Sequence, residues 1–458
     1  MNYFLDLFGC VKNQVDAENM MAHLNKAGWK NVTDAEPADL IIVNSCGFIE
    51  SAKQESINAV LGWRKLYPNK KIILAGCLSQ RYAKDLPEIL PEADTFIGVE
   101  DTLQIVQAAN KTMSASVNSP FPIPDSTGGR PLLSLPGSAF IKISEGCGNR
   151  CSYCAIPLIR GGLVSRAIPD IVEECRTLLN RGIVELNIIG QDIGAYGMDF
   201  EKEKAQGLPE LLKAISELKG EFWVRLLYIH PDHFPLEILD IMERDKRFLP
   251  YFDIPFQHAS TKILTAMNRN NSAPSQNPSQ RYVTLLEIIR GRLPDAVIRS
   301  TFLLGFPGET EEDFAALLDF QQKASLDWLG CFAYSREEGT AAYSMKERVP
   351  ARIANARKQI IEERQIPITE KNMERFIGHI FDVLIEELFS SAPAGCDAPS
   401  ECGEDTDDTE NLWLGRLYCQ APDVDGAAVI VSGKNLQVGT LAKCKVTTRR
   451  GFDLEVQI

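Results

Sequence analysis

Cys147-Gly148-Asn149-Arg150-Cys151-Ser152-Tyr153-Cys154 places three cysteines within eight residues. Cysteine thiolates are the standard protein ligands of iron–sulfur clusters, and a cubane held by three of them leaves its fourth iron open. Structural zinc is the first competitor, but it normally takes four ligands paired in separated short motifs. No fourth Cys or His lies close by in sequence. The plainest alternative is three inert core thiols. Crowding three of them beside Gly146, Gly148 and Arg150 argues instead for the ligands of a 4Fe-4S cluster.

The triplet directly follows a strand-like run, Ala139 to Ser144, and five more such runs follow at intervals filled by helical stretches: Val184 to Ile189, Phe222 to Tyr228, Tyr251 to Ile254, Val297 to Leu303 and Trp328 to Tyr334. Repeated βα units predict a parallel sheet, closed or partly closed into a barrel, with its active site at the carboxyl ends of the strands. Polar residues at those ends become candidates for ligand contact. They are Gln191 and Asp192 after the second strand, Arg225 on the third, Gln257 and His258 after the fourth, and Gly305 to Glu309 after the fifth. Arg166 is a further candidate, able to grip a carboxylate with two parallel hydrogen bonds. Each also has a structural reading, because buried polar residues are often only hydrogen-bonded fixtures.

Upstream, the first hundred residues read as βαβαβ: Asn2 to Phe8, a helix near Gln14 to Ala27, Leu40 to Asn44, a helix from about Ser51, then Lys71 to Leu74. That order predicts a doubly wound parallel sheet. Cys10, Cys46 and Cys77 each sit just after one of its strands, beside Gly9, Gly47 and Gly76. Ligands of such sheets bind outside the strands' carboxyl ends, so three distant cysteines there form a candidate second cluster site. Taken singly, each would be a small buried hydrophobe.

Residues 111 to 137 are a linker by composition, rich in Ser, Pro and Gly. Arg352 to Arg375 reads as a charged connecting helix. From residue 378 onward, short alternating runs predict a small β-barrel: Ile380 to Ile385, Arg416 to Tyr418, Ala427 to Val431, Leu441 to Thr447 and Phe452 to Ile458. Between the first two runs lies Ser390 to Asn411, a loop by composition, with Glu401, Glu404, Asp405, Asp407, Asp408 and Glu410. Cys396, Cys402, Cys419 and Cys444 show no metal-like spacing, and Cys175 and Cys331 read as core thiols. The expected division is 1–110, the 111–137 linker, 138–350, the 351–377 helix and 378–458.

A chain of 458 residues suits about three domains, and 45% hydrophobic with 24% charged is ordinary for a globular protein. Twelve cysteines in this length do not make a secreted disulfide framework and suit a reducing compartment. The opening Met-Asn-Tyr-Phe-Leu-Asp-Leu-Phe-Gly lacks a basic n-region and no apolar run approaches a membrane span, so a cytoplasmic protein with no membrane partner is expected. The net charge of −14 favours a basic or neutral macromolecular partner over RNA, without excluding RNA contact through a local basic patch.

The triplet, with Tyr153 before its last cysteine, resembles the signature of radical S-adenosylmethionine (SAM) enzymes. The whole chain resembles the methylthiotransferases of that superfamily, through Gly9-Cys10-Val11-Lys12-Asn13-Gln14-Val15-Asp16, Asn44-Ser45-Cys46-Gly47-Phe48-Ile49-Glu50-Ser51-Ala52, Gly76-Cys77-Leu78-Ser79-Gln80-Arg81-Tyr82, Ile143-Ser144-Glu145-Gly146-Cys147, Asp253-Ile254-Pro255-Phe256-Gln257-His258-Ala259-Ser260 and Arg299-Ser300-Thr301-Phe302. It is most similar to the branch that modifies the β-carbon of an aspartate in ribosomal protein S-twelve. Val11, Gly148, Gly190 and Ile193-Gly194 depart from the usual residues, and none removes a cysteine.

The resemblance implies an α/β protein: an amino-terminal doubly wound parallel sheet, a partial (βα)6 radical SAM barrel and a carboxyl-terminal all-β TRAM barrel. It implies two 4Fe-4S clusters and SAM as cofactors. Cys147, Cys151 and Cys154 would hold the cluster that cleaves SAM, with Tyr153, Arg166, Gln191 and Arg225 near SAM; Cys10, Cys46 and Cys77 would hold an auxiliary cluster carrying sulfur. One SAM would methylate that sulfur, and a second would generate the radical that takes hydrogen from the aspartate. Implied partners are the ribosomal protein, free or on the small subunit, a low-potential electron donor and a sulfur source. Two other readings stand beside this one: a tRNA adenosine methylthiotransferase, and a non-catalytic iron–sulfur sensor.

Overall fold

The computed structural model describes residues 1–114, 129–201, 206–269, 277–393 and 409–458. Cys396, Cys402 and most of the acidic stretch therefore lie outside the described residues.

The amino-terminal sheet runs β2 (Lys30–Asn31), β1 (Asn2–Leu7), β3 (Leu40–Ser45), β4 (Lys71–Gly76), β5 (Thr95–Ile97), all parallel. Central β3, Leu-Ile-Ile-Val-Asn-Ser, is buried along its whole length, as a parallel strand covered on both faces must be. Ile42 and Ile73 face Met20, Met21 and Leu24 of the helix Val11–Lys26. On the opposite face Ile41, Val43 and Leu74 pack on Val60 of the helix Glu50–Leu66.

The second sheet begins at β6 (Ser138–Lys142). A two-residue hairpin follows, β7 (Ser144–Glu145) with β8 (Val164–Ser165), and β9 (Glu185–Ile189), β10 (Trp223–Leu226), β11 (Phe248–Asp253), β12 (Val297–Leu304) and β13 (Trp328–Ala333) complete the sheet. Its six parallel strands pair in chain order from β6 to β13 without closing. An open barrel exposes two edges, and unpaired edges invite aggregation unless covered. The helix Val11–Lys26 covers β6, and the helix Ala351–Met373 lies along β13. The latter is therefore more than the solvated connector its charges suggest: Ile361, Gln365, Thr369 and Met373 are buried. Gln365 Nε2 and Thr369 Oγ1 donate to the carbonyls of Leu326 and Asp327, at 2.8 Å each.

The carboxyl-terminal strands β14 (Ile380–Pro393), β15 (Thr409–Arg416), β16 (Ala428–Ser432), β17 (Leu441–Arg450) and β18 (Asp453–Gln457) close into a barrel. The second strand ends at Arg416, where the sequence pattern begins it, and β14 and β15 pair as far as Pro393 and Thr409. The run read as a loop from Ser390 to Asn411 is thus, at both described ends, an extension of a hairpin.

Period-2 alternation explains how this barrel meets the six-stranded sheet. Val224 and Leu226 face the helices, while Trp223 and Leu227 join Phe140, Tyr251 and Trp328 in one cluster with Val383, Trp413 and Cys419. Polar ties cross the same boundary. Buried Glu185 accepts from Arg225 Nε at 2.9 Å and from Arg416 Nη2 at 2.6 Å, and Arg225 Nη1 donates to the Tyr418 carbonyl at 2.7 Å. Trp328 Nε1 donates to Cys419 O at 2.7 Å. The stretch 129–137, a linker by composition, is anchored too. Arg130 Nε reaches Glu18 Oε2 at 2.8 Å and its guanidinium also binds Glu174, while Gln14 Nε2 donates to Ser134 Oγ at 2.9 Å.

Asp425 lies in this boundary, accepting from Tyr251 OH at 2.6 Å and from Ala421 N at 2.8 Å. Burial pushes its pKa from 3.8 up to about 6, against the pull of Arg299. Between those values the folded chain holds a proton that the unfolded chain has released, so this carboxyl favours folding increasingly as pH falls from about 6 to about 4. Thermal unfolding of wild type and Asp425→Asn, compared across that window, should show the wild type gaining on the variant as pH falls, by about 1–3 kcal/mol. A pH-independent difference would contradict the assignment.

Candidate functional site

β1, β3 and β4 are neighbours, and their carboxyl ends deliver Cys10, Cys46 and Cys77 to one place. Two glycines allow the three loops to touch. Gly9 has φ of +96°, and a Cβ there would stand 3.0 Å from Cys46 Cβ and 3.3 Å from its Sγ. A Cβ on Gly47 would stand 2.7 Å from the Cys77 carbonyl carbon, where no real side chain fits. Asn13 braces the same turn: its Nδ2 donates to Phe8 O at 2.6 Å, and its backbone carbonyl accepts from Asn44 Nδ2 at 2.8 Å. Cys10 is exposed, Cys46 half-buried and Cys77 buried, and burial pushes the Cys77 thiol up to about 12.

The loop carrying Cys147, Cys151 and Cys154 is pinned by backbone. Cys147 N donates to Gly161 O at 3.2 Å and Ser152 N to Met267 O at 3.0 Å, while Ser152 Oγ donates to Ala266 O at 2.7 Å. Asn149 Nδ2 donates to Asp192 Oδ2 at 2.8 Å. Asp192 also accepts from His233 Nδ1 at 2.7 Å and from His230 N at 3.0 Å. Burial would raise this carboxyl, but the His233 bond and the neighbouring imidazoles hold it below the usual carboxylate range. Arg269 stands 3.6 Å from Cys151 Sγ and 3.4 Å from the Tyr153 hydroxyl, and the Tyr153 ring meets Phe306 edge-on.

The first cysteine set touches the segment that follows the second. Cys77 shares a buried cluster with Ala155 and Ile159, which directly follow Cys154. Arg160, from the same short helix, places Nη2 3.3 Å from Cys77 Sγ and 2.8 Å from Asp16 Oδ2, with Nη1 2.9 Å from Glu145 Oε1. Lys142 Nζ stands 2.5 Å from both Asp16 Oδ1 and Glu145 Oε2. Burial works against ionisation of Glu145, yet Lys142 and Arg160 hold its pKa at about 2. On the outer side Glu337 binds Arg81 at 2.7 Å and Lys53 at 3.1 Å, joining the domains a second time.

Of the residues expected at SAM, Gln191 lies on this cluster: Nε2 donates to Glu145 Oε1 at 2.9 Å, and its Oε1 is buried without a partner. Arg166 donates to Lys142 O at 2.7 Å and pairs with Glu174 at 2.6 Å, and its Nη2 is buried and unpaired. Tyr153 sits within the cysteine loop. Arg225 is not brought to them. It lies in the body of β10 opposite Asn187, stacks on Tyr251 and is engaged by Glu185 and Tyr418. His258 and Gly305 to Glu309 form a separate fixture, in which Glu309 binds Arg357 at 2.5 Å and Gly305 N at 2.8 Å. Cys175, Cys331, Cys419 and Cys444 are buried singly, as their spacing suggests.

The residues present fit two cubanes. Each site offers three thiols on braced loops, a guanidinium lies near one thiol of each set, and buried unpaired polar atoms stand beside Glu145 and Glu174. Among the described residues no group of three Cys, His, Asp or Glu closes tightly enough for a single metal ion.

Residues 2–98 match the Uncharacterized protein family UPF0004, 141–320 the Radical SAM superfamily and 377–458 the TRAM domain. The fold is similar to that of the radical SAM methyltransferase TsrM of Kitasatospora setae, solved with cobalamin and a 4Fe-4S cluster, at TM-score 0.55 and 14% identity over 74% of this chain and 76% of that one. Fold and site together define a radical SAM methylthiotransferase. The chain is 45% identical over 484 aligned residues to the ribosomal protein uS12 methylthiotransferase RimO of Treponema denticola, covering 98% of this chain and 99% of that one. With the RimO of Syntrophomonas wolfei the identity is 39%, covering 99% of both chains. The chain belongs to this RimO family.

Arg160, Lys142, Glu145 and Asp16 are the feature that sequence reasoning missed. Asp16 and Glu145 stand inside motifs read for their cysteines, but an ion pair spanning 144 residues leaves no local signal. Replacing Arg160 by Met leaves Asp16 and Glu145 to share Lys142 in a buried setting, and breaking such pairs destabilises by about 3 kcal/mol. Hydrogen exchange should then rise in the helix Val11–Lys26 and in Ile156–Arg160, with the carboxyl-terminal barrel unaffected. Unchanged protection in both helices would show that the network does not hold the domains together.

Proposed function

We propose that this chain adds a methylthio group to the β-carbon of an aspartate in ribosomal protein uS12, the S-twelve protein of the small subunit. Cys147, Cys151 and Cys154 hold the 4Fe-4S cluster that takes SAM, and Cys10, Cys46 and Cys77 hold the auxiliary cluster. The observation that carries this reading is the buried contact of Cys77 with Ala155, Ile159 and Arg160, the segment that directly follows Cys154. Family membership supports it, because the relatives above bear the uS12 methylthiotransferase name. When bound, the clusters and SAM supply radical formation and sulfur, chemistry no side chain can provide.

The chain's own residues bind, orient and shield. Gln191 Oε1 and Arg166 Nη2 offer an acceptor and a donor to SAM, and Tyr153 fixes the loop beside it. Arg269 places a permanent positive charge against Cys151. Lys142, Asp16, Glu145 and Arg160 fix one domain against the other, so a single substrate carbon can be presented to both sites.

The net charge of −14 suits attraction of a basic ribosomal protein, and the TRAM domain suits contact with RNA where that protein is met on the small subunit. A low-potential electron donor and a sulfur source complete the partners. Among the described residues no helix is long and apolar enough to cross a membrane, and the cytoplasm is the compartment where ribosomal protein and reduced thiols coincide.

Reconstituted, reduced protein incubated with SAM and either uS12 or tRNA should leave the mass of a methylthio group on uS12. Gain on tRNA alone would reject the reading, and absence of SAM cleavage would favour a sensor. Cys151→Ala should abolish 5′-deoxyadenosine release. Cys46→Ala should retain that release and lose methylthio transfer; equal loss in both variants would contradict the division of labour.

A further inference from the structure

Lys12 is buried, with 8% of its surface exposed, yet among the described residues its ammonium has neither a hydrogen-bond acceptor nor an ion-pair partner. Its Nζ lies 2.9 Å from the centroid of the Tyr228 ring. An aromatic face replaces only part of the water that an ammonium loses on burial. The nearby acids are already taken: Asp253 binds Arg299 at 3.2 Å, and Glu145 binds Lys142 and Arg160. Lys12 therefore carries unspent capacity for an anion.

Its position says which anion. Lys12 begins the helix that follows Cys10, and Tyr228 follows β10 at the strand's carboxyl end, where its carbonyl accepts from Ile193 N at 3.0 Å. The amine thus reaches from the auxiliary-cluster domain onto the floor of the barrel's active end. Tyr228 has φ of +69°, a left-handed conformation that a bulky residue rarely adopts. Such strain persists where surrounding structure imposes it, and it concentrates at ligand sites.

We infer that Lys12, seated on Tyr228, receives the side-chain carboxylate of the substrate aspartate and is the residue that selects an acid over its amide. The inference rests on the aspartate reading above. The carboxylate of SAM is the other source of the same chemistry, and the two are separable by experiment. An aspartate so held would present its β-carbon between the two cysteine sets while its negative charge is matched.

The test compares affinities of the reconstituted holoenzyme for uS12 and for uS12 whose modified aspartate is replaced by asparagine. Wild type should prefer the aspartate form by about tenfold or more, the scale of one charge-assisted bond. Lys12→Met should bind both forms alike while retaining iron content and SAM affinity, and Lys12→Arg should restore most of the preference. Lys12→Gln is the second neutral variant should the Met protein not assemble. A preserved preference in either neutral variant overturns the inference. Loss of iron or of SAM affinity with the preference intact also overturns it, assigning the amine to a cluster or to SAM. Wild type that modifies tRNA and not uS12 overturns the parent reading, and this one with it, by a result that involves no Lys12 variant.

Discussion

The quartet of Asp16, Lys142, Glu145 and Arg160, largely buried except for the partly exposed Glu145, is the constraint from which the arrangement of this protein follows. Its two carboxylates and two cations are neutral as a set, and each is paired at 2.5–2.9 Å. Removing four charges from water is unfavourable unless every partner is present, so the quartet is weak as a source of stability and strong as a determinant of geometry. Asp16 belongs to the helix after Cys10, Lys142 ends the strand that leads to Cys147, and Arg160 follows Cys154. Only one docking of the two domains satisfies all four, and that docking sets Cys77 against Ala155 and Ile159.

The same logic operates on the other side of the barrel. An open six-stranded sheet leaves an apolar inner face that must be covered, and the carboxyl-terminal barrel covers it with Trp413, Val383 and Cys419. Burial there strands Glu185 away from water, and Arg225 with Arg416 supplies the compensation. Arg225 is thus part of the scaffold, not of the cofactor site. Three domains with separate sequence signatures are tied together by charges that meet at each interface, Asp16 with Lys142 and Arg160 at one and Glu185 with Arg416 at the other.

What was legible in the sequence follows from the range of the signal. Cys147, Cys151 and Cys154 are close in sequence, and Cys10, Cys46 and Cys77 recur at the same place in a βα repeat, so topology alone brings them together. Repeated apolar runs predict the parallel βα sheet and leave open whether it closes, because closure depends on the edge strands and not on any one run. Arg225 is expected near the active end because it lies on a barrel strand, and the structure places it in the body of β10, since a shift of one or two positions along a strand separates the active end from the interior of the sheet. Arg130 was hidden inside a Pro- and Gly-rich run whose composition says nothing of Glu18 or Glu174. Arg269, beside Cys151, follows a short helix with no motif of its own. These are contacts between residues 44 to 118 positions apart, set by tertiary packing that no local pattern records.

Charge is divided by distance in a way that suits a protein substrate. The carboxyl-terminal module carries about fourteen acids, six of them in the segment 394–408 outside the described residues, so the closed barrel itself holds eight acids against six bases. Its charge is nearly balanced, which leaves room for RNA contact that the total charge disfavours. The acidity of the whole chain acts over a Debye length and draws a basic partner in without selecting a residue. Selection requires a charge of opposite sign at contact range, in a place where water does not compete. Lys12, on Tyr228 and without an acid of its own, meets that requirement. A net acidic chain with a single unpaired cation at contact range would attract a basic protein and still bind its aspartate, and the two roles do not conflict because they operate at different distances.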